Sequence, residues 1–339
     1  MFEMISRRAL MGQFGAAGLL TLSGCSGQQG SAKGAINIAT AAGSFNMTIA
    51  ALMKQQGFME SLGLHPNAIA VSDGAKILAS VVSGSVDIAP LSGFSQIFPA
   101  IERGAQVRIL SAATLTPMLA LFSGKPGVRT LKDLEGKNVG SGAMGSLVHQ
   151  LTVTLLRKYG IDVSTIRFIN LGSNTDVFKG VMAGTVDAGL GPASYVPDAE
   201  IYKVHALEHG DMSVELPDFT YQAGWTSTHA IATKRDELVR TLAAYATLFR
   251  FLGQPEAKEA FLKARRSVFP SAPEREHESE WAFLQKTKPL AKDLIISPER
   301  VEYMQKINVE FKAQKEVLPY DRVVDTSIAE AALKLLDKT

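Results

Sequence analysis

From residue 36 onward the chain alternates short apolar runs with stretches of helical spacing. Ile36-Asn37-Ile38-Ala39 reads as a strand. After Gly43-Ser44, the residues Phe45, Ile49, Leu52 and Met53 fall at i, i+4, i+7 and i+8, which puts one apolar face on a helix. Gly57 follows as a stop, since glycine accepts the left-handed backbone at a helix end. Residues 68–71 form a second predicted strand. Asp73 stands where it can cap a helix carrying Ile77, Leu78, Val81 and Val82 on one face, with Gly84 ending it. Residues 86–91 and 107–112 are two more strands. Residues 226–232 read as a strand, and 235–251 as a long amphipathic helix closed by Gly253. Helical patterns then run through Ala260, Trp281, Tyr303 and Ala331. Strands alternating with helices predict an α/β fold with a mainly parallel sheet.

The pattern repeats. Val82-Ser83-Gly84-Ser85-Val86-Asp87 recurs as Met182-Ala183-Gly184-Thr185-Val186-Asp187. The element order around it recurs at nearly the same offset. The strand, glycine turn, Ser44 and helix of the first copy match Val139, Gly142, Ser146 and a helix to Lys158. The strand near Val71 matches 167–171, the helix from Asp73 matches one beginning near Asn174, and residues 88–95 match 188–195. Two similar α/β lobes in series are expected, with the C-terminal segment returning to complete the first. Asp87 and Asp187 fall at strand starts, where a structural role is expected.

The N-terminus changes the picture. Ser6-Arg7-Arg8 precedes an apolar, Gly-rich run to Leu22, the layout of an export signal, and the arginine pair resembles the twin-arginine form. Gly12 stands where that form carries a polar or basic residue, so export through the general pathway stays open. The run ends in Leu22-Ser23-Gly24-Cys25, which resembles the lipobox at which bacterial lipoproteins are acylated on cysteine and cut before it. Cys25 is the only cysteine of the chain, so the exported part carries no disulfide. Residues 26–35, rich in Ser, Gly and Gln, read as a tether. The expected organisation is a leader over 1–25, a tether over 26–35, a first lobe from 36–121 with 223–339, and a second lobe from 122–222.

Composition narrows the function. The 339 residues carry a net charge of +2, with 46% hydrophobic and 20% charged positions. That is ordinary globular usage, and it lacks the concentrated basic charge nucleic-acid binding needs. In an open α/β sheet, ligands sit outside the carboxyl ends of the strands, where helix N-termini present unpaired N–H groups. Four turns qualify: Ser44-Phe45-Asn46, Ser92-Gly93-Phe94-Ser95, Ser141-Gly142 through Ser146, and Pro192-Ala193-Ser194. Phe45 and Phe94 are candidate apolar walls. Trp225 is a candidate stacking residue or a core residue. Each Ser is equally readable as an ordinary helix cap and each Gly as an ordinary turn.

Several stretches resemble the nitrate/sulfonate/taurine-type solute-binding proteins, including those for thiamine-pyrimidine precursors. They are residues 131–140 (LKDLEGKNVG), the paired segments 84–89 (GSVDIA) and 184–189 (GTVDAG), and Leu318-Pro319-Tyr320 with Asp325. The resemblance implies a two-lobed fold of the periplasmic-binding-protein type II kind, joined by hinge strands and closing over one ligand. It implies a monomer without cofactor or catalysis, a small-molecule ligand, and an ABC permease with its ATPase as partner. Its pocket loops match Ser44, Phe45, Phe94, Ser141 and Ser194. No dense set of cleft arginines can be placed, so a small organic ligand such as a sulfonate, carboxylate or aromatic compound is expected over a dianion. A receptor serving a non-ABC carrier or a sensor is the alternative.

Three enzymatic readings compete, and one of them, a pyrimidine-metabolising enzyme on the same fold, resembles a cysteine-rich type that a chain whose only cysteine is Cys25 does not fit. His205-Ala206-Leu207-Glu208-His209 spells a zinc-binding H-x-x-E-H, which works only on a helix. The repeat predicts a strand there and no metal site. No G-x-S-x-G turn occurs, which leaves serine hydrolysis without its usual nucleophile turn.

Overall fold

The computed structural model describes residues 33–71 and 73–338. Cys25 and the whole proposed leader lie outside the described residues. In chain order the elements are β1 (Ala35–Ala41), α1 (Ser44–Gln56), β2 (His65–Val71), α2 (Gly74–Ser83), β3 (Ile88–Ser92), α3 (Ile97–Glu102) and β4 (Val107–Thr114). Next come β5 (Leu119–Ser123), β6 (Asn138–Ser141), α4 (Leu147–Lys158), β7 (Arg167–Asn170), α5 (Asn174–Met182), β8 (Ala188–Pro192), β9 (His205–Asp211) and α6 (Met212–Glu215). The chain ends with β10 (Gln222–Ser227), α7 (Thr228–Thr233), α8 (Arg235–Leu252), α9 (Lys258–Val268), α10 (Glu274–Thr287), α11 (Pro298–Glu310), α12 (Tyr320–Val323) and α13 (Ser327–Leu336). A run of 3₁₀ turns spans Ala193–Tyr202.

The strands form two five-stranded sheets, ordered β2-β1-β3-β10-β4 and β7-β6-β8-β5-β9. β1 runs parallel to β2 and β3, while β10 runs antiparallel to β3 and β4. The second sheet repeats this layout. β6 is parallel to β7 and β8, and β5 is antiparallel to β8 and β9. The two α/β lobes expected from the repeat are therefore present, each with one reversed strand next to its edge. β3 and β8 are buried along their whole length, as strands covered on both faces must be, which is why they read as runs rather than alternations.

Both strand-start aspartates hold the same place. Asp87 Oδ2 accepts the Asn37 amide at 2.7 Å, and its own amide donates to Asn37 O at 2.9 Å. Asp187 does the same to Asn138 at 2.9 and 2.8 Å. Each carboxylate thus pins the start of one strand to the next. The reversed strand joins in as well, through the Thr226 hydroxyl on Asp87 O and the Ser123 hydroxyl on Asp187 O.

Two details differ from expectation. The predicted strand over 226–232 ends at Ser227, whose hydroxyl accepts the Ala230 amide and starts α7. β-Branched Thr and Ile suggested a strand there, and a serine cap decided otherwise. β5, where no strand was expected, is a fully buried five-residue run. Such short runs carry no period to read.

α8 packs against the first sheet. Its buried face, Leu238, Leu242, Tyr245, Phe249 and Leu252, follows helical spacing, and the helix packs against β3 and α13. Truncating one of these leucines to alanine costs about 2–5 kcal/mol in a close-packed core. α9 packs on α1, and α10 packs both on α9 and on the 3₁₀ run of the second lobe. The C-terminal helices thus touch both lobes.

Candidate functional site

The carboxyl ends of the two sheets face one cleft between the lobes, with an enclosed volume of about 110 Å³, tighter than the roughly 300–1,000 Å³ usual for small-molecule sites. Four helix N-termini open onto it: α1 and α2 from the first lobe, α4 and α5 from the second. They differ in a regular way. Asp73 accepts the Lys76 amide and caps α2, and Ser173 accepts the Asp176 amide and caps α5. α1 begins after Gly43, which has no side chain to cap with. α4 begins after Ser146, whose hydroxyl finds no partner. The helices that correspond by the repeat, α1 and α4, thus keep their first amides free for a ligand. Such ends attract negative or electron-rich groups through the helix dipole.

The lobes meet closely around this space. A Cβ built on Gly43 would lie 3.3 Å from Asn174 Oδ1, and one on Gly93 would lie 3.1 Å from the Leu147 side chain. Both contacts join the first lobe to the second. On the far side, Asn308 of α11 bridges the lobes, accepting from Gln150 Nε2 at 2.6 Å and donating to Ser95 O at 2.8 Å.

Among the sequence-predicted residues, Ser44, Phe45, Asn46, Ser92, Gly93, Ser146 and Pro192 line the cleft. Asn46 builds its floor: its amide donates to Leu91 O at 2.6 Å, and its Oδ1 accepts from Gln222 Nε2 at 3.1 Å. Phe94 points elsewhere and packs edge-on against Phe98 in the first-lobe core. Ser95 and Ser141 are buried just behind, each with an unpartnered hydroxyl. Gly142 is packed under Ser146 Oγ, so that a Cβ would collide with it. Ala193 belongs to the second-lobe core. Ser194 donates to Glu280 at 2.9 Å. Trp225 is 0% exposed in the middle of β10, among core residues rather than in the cleft.

Residues the sequence did not single out complete the lining. Asp73 and Gly74 follow β2, and Gly172, Ser173 and Asn174 follow β7. These are the two remaining strand-to-helix turns, so the carboxyl-end rule names them too. Tyr221 and Gln222 come from the start of β10, and Met118 and Leu119 from the crossing into β5. Glu280 comes from α10, where one glutamate among several gave no signal.

Behind Glu280 lies a buried charged cluster. Arg265 Nη2 pairs with Glu276 at 2.9 Å and approaches Glu280 at 3.6 Å. Tyr195 and Tyr202 of the second lobe donate to Glu276 at 2.5 and 2.9 Å. Burial works against the Arg265 charge, yet Glu280, Tyr195 and Glu276 around it raise its pKa. Burial pushes both tyrosines well above the usual phenol range, and the neighbouring glutamates push further.

The H-x-x-E-H segment lies in β9, as the repeat predicted. Four residues of strand span about 13 Å, so its histidines cannot share an ion in the way a helix allows. His205 Nε2 donates to Val128 O at 2.8 Å, and His209 Nδ1 donates to Glu215 at 3.1 Å. Among the described residues no group of three or more His, Cys, Asp or Glu side chains could hold a metal. Nor is any helix among them long and apolar enough to cross a membrane.

Comparison with known proteins places this geometry. A family model described as NMT1/THI5 like matches residues 44–246. No curated protein sequence matches the chain. The alkanesulfonate-binding protein SsuA from Xanthomonas axonopodis pv. citri, solved bound to MOPS, superposes with a TM-score of 0.70 at 18% identity, covering 88% of this chain and 97% of its own. The periplasmic aliphatic sulphonate binding protein SsuA from Escherichia coli gives 0.65 at 17%, covering 86% and 92%. The desulfurization enzyme DSZB gives 0.64 at 11%, covering 89% and 99%. The fold is that of periplasmic solute-binding proteins, and at least one enzyme also uses it.

Proposed function

The chain belongs to the NMT1/THI5-like family, and from that premise we propose that it is an exported, lipid-anchored solute-binding protein. In this reading it closes its two lobes over one small organic molecule and hands it to an ABC-type permease. The observation that carries the reading is the cleft between lobes of the same design, with the N-termini of α1 and α4, which no side chain caps, opening onto it from opposite sides. A ligand touching both lobes stabilises the closed form more than the open one, and closure is that difference in affinity.

The candidate ligand-binding residues remain those of the four turns, with Ser44, Phe45, Asn46, Ser92, Gly93 and Ser146 nearest the space. Phe45, Ile77, Met118 and Leu147 supply apolar wall, which suits an organic body. The export signal and Cys25 support delivery to the outer face of a membrane, where acyl chains hold the protein without a spanning helix. The test is a thermal-shift screen of the purified protein against sulfonates, aromatic and aliphatic carboxylates, pyrimidines and amino acids. A compound that binds the native state raises the melting temperature. A hit recovered unchanged supports binding without catalysis, and a hit that is consumed refutes it.

A further inference from the structure

Glu280 is buried, at 3% exposure, and lines the cleft. Its Oε2 accepts from Ser194 and lies nearest Arg265. Its Oε1 accepts no hydrogen bond among the described residues. Arg265 makes its closer bond to Glu276, so two carboxylates share one guanidinium. His277 does not make up the deficit, because burial, followed by the Arg265 charge, lowers its pKa below the ordinary histidine value. The cluster behind the cleft therefore carries more negative than positive charge. No lysine, arginine or histidine lines the cleft among the described residues, and its charged side chains are Asp73 and Glu280. Tyr221 lies beside them, and its hydroxyl too makes no hydrogen bond within the described protein.

We propose that Glu280 is the specificity-determining residue of this cleft, and that Oε1 receives a nitrogen-bearing donor of the ligand, an amine or an amino group on a heterocycle. The proposal rests on the binding-protein reading above. Oε1 opens onto the cleft from a side chain otherwise packed away from water, and an N–H donor there makes a charge-assisted bond to it. A ligand that is wholly anionic meets the Glu280 carboxylate with no lysine, arginine or histidine lining the cleft beside it, which is discrimination by repulsion. A negative or electron-rich group of the same ligand has its place at the free amides of α1 and α4. The favoured class is thus a small organic molecule with a donor nitrogen at one end and an acceptor or acid at the other.

The test is calorimetric titration of the purified protein with matched pairs differing only in the nitrogen. Suitable pairs are 2-aminoethanesulfonate with 2-hydroxyethanesulfonate, 3-aminopropanoate with propanoate, 4-aminopyrimidine with pyrimidine, and benzylamine with benzyl alcohol. The expected result is at least tenfold tighter binding of the nitrogen member in one or more pairs. Glu280→Gln brings that preference to within about twofold, while Glu278→Gln, which removes an exposed carboxylate of the same helix that pairs with Lys258, preserves it. Melting temperatures of both variants check that they fold. A nitrogen-free member that binds as well as its partner, with its affinity unmoved in Glu280→Gln, overturns the assignment and leaves the binding-protein reading standing. Binding of no member also overturns it. Consumption of a probe overturns the binding-protein reading itself.

Discussion

A Cβ placed on Gly93 would lie 3.1 Å from both Cβ and Cδ2 of Leu147, and these two residues belong to opposite lobes. A side chain at this position would therefore fit only if Leu147 gave way by a few tenths of an ångström. Leu147 is the first residue of α4, and both residues line the cleft between the lobes.

Gly93→Leu should act as a wedge. The open form has room for the added side chain and the closed form does not, so ligand affinity should fall at least tenfold, about 1.4 kcal/mol. Unfolding stability should change little. Small-angle scattering with saturating ligand should show a larger radius of gyration than the wild type. A variant that closes and binds normally would contradict the close approach.

Asn46→Ala should weaken both fold and site. It leaves Leu91 O and Gln222 Nε2 without their buried partner, and an unsatisfied buried polar group costs about 1–3 kcal/mol. Urea unfolding should show a loss on the order of 2 kcal/mol, accompanied by weaker ligand binding because the cleft floor is no longer fixed. Full stability in this variant would mean that the amide chain from α1 to β10 contributes nothing.

Glu215 sets an acid limit. Burial opposes its ionisation, but bonds from Tyr159, Lys158 and His209 outweigh that and hold its pKa at about 2, against 4.5 for a free glutamate. Because the folded value is the lower one, the stabilisation is complete above pH 4.5 and disappears as pH falls toward 2. Glu215→Gln should therefore be less stable than wild type at pH 7, with the gap closing between pH 4.5 and 2. Denaturant midpoints at both ends of that range measure it. A gap that stays constant with pH would rule out an ionised Glu215 as its source. The same bonds commit His209, so chelators should leave the melting temperature unchanged.

Cys25→Ser should release the protein from the membrane. If the thiol carries the acyl chains, its loss removes about 0.8 kcal/mol of membrane affinity for every buried methylene. The variant should appear in the soluble fraction with the melting temperature of the wild type. Unchanged membrane retention would defeat the lipobox reading.

Much of this architecture could be read from the chain, because periodicity and repetition report on local structure. The face of α1, the Asp73 cap and the paired Gly-x-Val-Asp turns all follow from spacing. The turns bearing Ser44, Ser92 and Ser146 followed from one rule about strand ends. Phe94 shows where that rule runs out: it lies in a turn whose Ser92 and Gly93 line the cleft, but its side chain direction depends on Phe98, a partner that spacing alone does not identify. Trp225 is similar, since a lone aromatic carries no sign of burial. Glu280 was illegible for a different reason. It reaches the cleft only because α10 folds back against the second lobe, and helix-to-helix docking leaves no period in the sequence.

The placement of β10 carries a consequence for how the chain assembles. The Ser123 hydroxyl finds Asp187 O across 64 residues, whereas Thr226 finds Asp87 O across 139. Doubling a loop costs only about 0.6 kcal/mol, so the two lobes need not differ much in final stability. They differ in order. The second lobe can complete its sheet from one continuous stretch, while β3 and β4 must wait, with a strand-wide gap between them, until the other lobe has been synthesised. Contacts of such long range form late and slowly, which makes the first lobe the part of the newly made chain most exposed to aggregation and most dependent on chaperones.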